Sequence, residues 1–82
     1  MGRKEKLLER VCLTTRGWTF DELRALAEAF GATVVPPTGG GSHWKFRWDD
    51  ACVTVPRSGG PLLQCYVREI RDIVLEKNDA DR

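Results

Sequence analysis

Apolar and polar positions divide the chain into six segments, with the period changing from helical to strand-like and back. Between Lys4 and Leu13, the residues Leu7, Leu8, Val11 and Cys12 recur at helical spacing. Lys4, Glu5, Lys6, Glu9 and Arg10 occupy the other side, so the segment reads as a solvated amphipathic helix, with an RNA-contacting arm as the alternative. Thr14-Thr15-Arg16-Gly17 breaks it. The second helix is marked at both ends. Thr19 with Glu22 three residues on forms a capping box, and Trp18 with Leu23 fits a hydrophobic staple. Phe20, Leu23, Leu26, Ala27 and Phe30 carry its apolar stripe to Gly31, a C-terminal stop.

Beyond Gly31 the period falls to two. Ala32-Thr33-Val34-Val35 is a short strand closed by Pro36-Pro37, and Thr38 to Gly41 lead into Ser42. From His43 to Trp48 polar His43, Lys45 and Arg47 alternate with aromatic Trp44, Phe46 and Trp48. Successive strand residues face opposite ways, so one face collects three rings and the other an imidazole, an ammonium and a guanidinium. A turn at Asp49-Asp50 sets Trp48, Phe46 and Trp44 opposite Ala51, Val53 and Val55. On the other face it sets Arg47, Lys45 and His43 opposite Cys52, Thr54 and Pro56. A three-residue loop would reverse this parity. After the break at Ser58-Gly59-Gly60-Pro61, a last helix spans Leu63 to Lys77. Leu63, Tyr66, Val67, Ile70, Ile73 and Val74 lie on one side, with Arg68, Asp72 and Glu76 on the other. The tail, 78–82, reads as frayed. The expectation is a single α+β domain over 1–82, in the order α-α-β-β-β-α. Its three-stranded antiparallel sheet is covered on one face by helices, and residues 1–17 form an N-terminal helical extension.

Composition changes this picture little, and charge distribution changes it more. With 82 residues and a net charge of +1, the chain has one small core and no strong polyelectrolyte signature. Sizeable enclosed pockets are not expected, so a substrate is read as binding on a surface or in a shallow groove. Residues 1–18 carry a net +3 and 31–68 a net +2, whereas 19–30 and 69–82 each carry −2. Basic charge thus belongs to the N-terminal arm and the sheet. Cys12, Cys52 and Cys65 are odd in number and lack CxxC spacing, which argues against a disulfide framework or a metal site and for buried or half-buried thiols. No apolar run reaches membrane-spanning length, and the basic start is not followed by a signal-peptide core. The reading is a cytoplasmic protein without metal or cofactor.

The open face offers chemistry of a definite kind. A histidine titrating at about pH 6.5 exchanges protons near neutrality. Lys45 and Arg47 can offset phosphate charge, and Gly39 to Ser42 can present backbone N–H groups to an anion. Such parts suit RNA cleavage, in which a base takes the 2′-OH proton and cations stabilise the charged phosphorane. The bland reading is a turn histidine beside solubilising cations. The chain also offers one histidine where acid and base work on RNA generally wants two groups.

Gly41-Ser42-His43, Phe46-Arg47, Val53-Thr54-Val55-Pro56 and Val67-Arg68-Glu69-Ile70 resemble the HicA family over roughly residues 20–75. These are small toxins of bacterial type II toxin–antitoxin pairs. The resemblance implies a double-stranded-RNA-binding-domain-like fold, ribosome-independent mRNA cleavage with His43 as the catalytic residue, and neutralisation by a HicB-type antitoxin covering the site. Oligomers would then form only through the antitoxin complex. The basic residue that usually precedes Gly-Ser-His is absent here, and Trp44 stands where many members have a polar residue. Phosphate contact therefore falls to Lys45, Arg47 and Arg57, with Gly41, Ser42 and Thr54 completing the RNA-binding set. The rival reading is a non-catalytic RNA-binding or partner-binding domain on the same fold.

Overall fold

The computed structural model describes residues 2–57 and 59–80. Its elements run α1 (Arg3–Leu13), α2 (Phe20–Ala29), β1 (Thr33–Val35), β2 (His43–Arg47), β3 (Cys52–Pro56) and α3 (Gln64–Ala80). This is the expected α+β order. Met1, Ser58 and the end of the expected tail, Asp81 and Arg82, lie outside the described residues.

Local signals set the limits of α2. The Thr19 side chain accepts a hydrogen bond from the Glu22 N–H while the Glu22 carboxylate accepts from the Thr19 N–H at 3.0 Å. Trp18 and Leu23, the two ends of the staple, are both fully buried. At the other end the Ala32 N–H donates to the Ala27 carbonyl and the Gly31 N–H to Glu28. Gly31 sits at φ 98°, so the helix closes in a Schellman motif that needs its glycine.

The sheet is antiparallel in the order β1-β2-β3. The β2–β3 register pairs Trp44 with Val55, Lys45 with Thr54, Phe46 with Val53 and Arg47 with Cys52, as the alternation required. The Trp48 N–H closes the hairpin on the Ala51 carbonyl at 2.8 Å. Phe46 and Val55 are fully buried on the helix side of the sheet, against a core that includes Leu23, Leu26, Val67, Ile70 and Val74. The two most deeply placed indoles keep their N–H groups paired, Trp18 with the Thr14 carbonyl at 2.9 Å and Trp48 with the Phe30 carbonyl at 3.2 Å.

Three features go beyond the sequence reading or depart from it. First, α1, expected as an N-terminal extension of the domain, packs on the rest of it: Val11 is fully buried, and Arg10 stacks over the Trp18 ring while its guanidinium meets Glu22 at 2.6 Å. Second, α3 starts after Leu63 and continues to Ala80. Leu63 is 68% exposed, and its neighbour Leu62, at 7%, takes the core position. The Leu62 N–H bonds the Trp18 carbonyl, which fixes the chain direction two residues before the helix and leaves Leu63 facing outward. Third, Cys12, Cys52 and Cys65 are all exposed, not buried or half-buried. Cys12 falls on the solvent side of α1, Cys52 has the parity of the open sheet face, and Cys65 opens α3 away from the core.

Candidate nucleic-acid interface

All helices pack on the side of the sheet that holds Phe46 and Val55, which leaves the other face bare. Alternation then determines what that face shows: Thr33 and Val35 from β1, His43, Lys45 and Arg47 from β2, and Cys52, Thr54 and Pro56 from β3. Register places these in cross-strand rows, Thr33–Arg47–Cys52 and Val35–Lys45–Thr54, with His43 beside Pro56. None of these strand positions carries a carboxylate. His43, Lys45 and Arg47 are exposed, and among the described residues their side chains make no ion pair. Three unopposed polar groups along one strand give a local positive potential despite the near-neutral chain.

The same three side chains line a shallow groove of about 300 Å³, completed by Val35, Pro36, Pro37 and Thr38. Sequence reasoning missed this second wall. The signal was available, because an antiparallel β1 ending at Val35 must run its Pro36-Pro37 exit beside the start of β2. Gly39 and Gly40, at φ 80° and 82°, are both left-handed, a pair of conformations that glycine alone adopts without strain. They reverse the chain so that Ser42 enters β2 directly after the proline wall. A Cβ at Gly41 would lie 3.7 Å from Pro37 Cβ, ordinary contact, so Gly41 packs beside that wall without being sterically required. Arg47 also borders a second hollow with Thr33 and Asp49, at the hairpin end of the sheet. That end is anchored by Asp50, whose carboxylate bonds Lys77 at 2.5 Å. The bond holds the Asp50 carboxyl below its usual range and raises Lys77.

Of the residues expected to contact RNA, Gly41, Ser42, His43, Lys45, Arg47 and Thr54 lie on or beside the open face. Arg57 does not. Its side chain packs over the Phe20 ring at 5.1 Å and the Trp44 ring at 5.3 Å, and it reaches Asp21 at 3.5 Å. It lines a separate groove with Thr19 and Phe20 near the start of α2. Strand parity explains this: Pro56 faces outward, so Arg57 continues the inward set of Val53 and Val55. Its link to the site is through the backbone, where its N–H donates to the Ser42 carbonyl at 2.7 Å. That bond holds the residue preceding His43 at the end of the sheet.

Among the described residues no group of His, Cys, Asp and Glu side chains is arranged to hold a metal ion, and no helix is long and apolar enough to cross a membrane. The arrangement can bind an anionic chain along the sheet and exchange one proton at His43. Comparison with protein-family models, with curated proteins and with solved structures finds no match to this chain.

Proposed function

We propose that the protein is an RNA-cleaving toxin of the HicA type, with His43 in the proton-transfer role. The observation that supports this reading best is the meeting of the sole histidine with Lys45 and Arg47 in one open, carboxylate-free groove on a bare sheet face. His43 as base would take the 2′-OH proton of a bound ribonucleotide. The 2′-oxygen then attacks the adjacent phosphorus, and the P–O5′ bond breaks to leave a cyclic phosphate. Lys45 and Arg47 offset the charge that gathers on the phosphorane, and the departing 5′-oxygen takes its proton from water or from Lys45. DNA lacks the attacking hydroxyl, so it would bind without being cut. Messenger RNA as substrate and a HicB-like antitoxin that covers the groove follow from the resemblance carried by Gly41-Ser42-His43 and Val53-Thr54-Val55-Pro56, and a cytoplasmic setting fits three cysteines without a disulfide pattern.

A second reading has its own support. The groove holds a single imidazole, and its other polar side chains are Thr38, Lys45 and Arg47, so a site that binds RNA without cutting it fits the same surface. Induced expression separates the two. Growth arrest by the wild type that His43→Ala abolishes supports the nuclease. Absence of arrest, with RNA binding retained by the purified protein, supports the binding module.

A further inference from the structure

The two edges of the sheet are built differently. In the β2–β3 ladder the Trp48 N–H bonds Ala51 and the Arg57 N–H bonds Ser42. Antiparallel bonding alternates, so Ala51, Val53, Val55 and Arg57 turn their backbone groups toward β2. Cys52 and Thr54 therefore turn theirs away from the sheet, each with an N–H and a C=O, while Pro56 offers a C=O alone. On the far side β1 has three residues, of which only Val34 points its backbone outward, and Pro36-Pro37 end it at once. The β1 edge is short and proline-blocked. The β3 edge is five residues long, regular in register, and flanked on its open side by the small uncharged side chains of Cys52 and Thr54. It lacks the lysine, bulge or mid-strand proline by which edge strands usually resist pairing.

We propose that the β3 edge is a self-association surface, on which a second copy of this chain adds its own β3 antiparallel to make a continuous six-stranded sheet. Self-complementarity selects that occupant. With Cys52 of each copy opposite Thr54 of the other, both residues exchange both backbone bonds, and all outward groups of these two residues are paired. A register centred on Thr54 would instead face the Cys52 C=O toward Pro56, which has no N–H to give. In the favoured register the two-fold axis passes between the Val53 residues, which face each other on the helix side, where each is already buried. Uncharged edge side chains give no reason to select a charged foreign strand. Repulsion between the two basic faces does not prevent pairing. The β2 strands of the two copies are separated by three strand spacings, about 14 Å, which exceeds the physiological screening length of about 8 Å. The consequence is a surface carrying two parallel grooves, in place of an oligomer formed only through a different partner. The proposal stands on backbone geometry and is independent of what the grooves bind.

The interface is small, so association is expected at high protein concentration and not at trace levels. Light scattering behind size exclusion, on the full chain over a concentration series, should show the molar mass rising from the 9.3 kDa of one chain to twice that value. Thr54→Pro removes an N–H that the internal ladder does not use and places a ring on the edge. It should hold the protein monomeric at every concentration, with unchanged circular dichroism. Cys52→Lys, which puts a solvated charge on the same edge, should do likewise and decides the matter if the proline variant fails to fold. A wild type that stays monomeric throughout the series overturns the proposal. So does a dimer that survives both substitutions, since its interface would lie elsewhere.

Discussion

The two faces of the sheet are made from alternate residues of the same strands and do opposite work. The inner face presents Trp44, Phe46, Val53 and Val55 to the helical layer, and Phe20 of α2 meets its two rings edge-on, Trp44 at 5.4 Å and Phe46 at 5.6 Å. The outer face presents His43, Lys45, Arg47 and Thr54 to solvent. The contrast shows that stability and chemistry are separable here by a single step along the chain. A substitution at an even position of β2 acts on the fold, and one at an odd position acts on the groove. The same parity governs Arg57, which takes the inner-face position and so stacks its charge on aromatic rings.

The largest effect is expected on the inner face. Phe46→Ala removes a fully buried ring and should destabilise the domain by about 3–5 kcal/mol in a denaturant titration. A loss below about 1 kcal/mol would mean that the faces are inverted. Thr19→Ala, which removes the capping box that starts α2, should cost about 1 kcal/mol by the same measurement. On the outer face Lys45→Ala with Arg47→Ala should change stability by no more than about 0.5 kcal/mol per site. The double substitution should instead weaken RNA binding and flatten its salt dependence by nearly two units of logarithmic slope, because two phosphate contacts are lost. An unchanged slope would move the RNA surface off this face. The smallest effect concerns acid. The hydrogen bond from Arg10, and those of Thr19, hold the folded Glu22 carboxyl below its ordinary value of 4.5. Its contribution is therefore complete above that value and lost as pH falls through the lower folded value. The melting-temperature gap between wild type and Glu22→Gln should narrow on acidification, and a constant gap would remove Glu22 from the acid response.

Much of this architecture is legible in the sequence because local and long-range signals agree. The Trp-Lys-Phe-Arg alternation and the Val-Thr-Val alternation fit only one hairpin parity, and the Thr19–Glu22 spacing marks a helix start without reference to the rest of the fold. What escaped is what local pattern does not encode. Leu62 and Leu63 are equally apolar, and only the long-range bond from Leu62 to the Trp18 backbone decides which turns inward. The burial of Val11 depends on α1 docking against α2 and α3, which its own stripe does not specify. The proline wall beside His43 depends on a β1–β2 pairing across a long glycine turn. The side taken by Arg57 was legible, because counting parity one residue past Pro56 turns it toward the helices.

The measurement that bears most directly on the functional reading is the rate at which purified protein cleaves a single-stranded RNA, compared between wild type and His43→Ala. His43 is exposed and makes no packing contribution to the core, so the variant should fold and melt as the wild type does. RNA binding should persist in it through Lys45 and Arg47. Cleavage should fall by about 10²- to 10⁴-fold, the range lost with general acid–base assistance. Cleavage by His43→Ala at the wild-type rate, or a wild type that binds RNA and never cuts it, would contradict the proposed role of the open face.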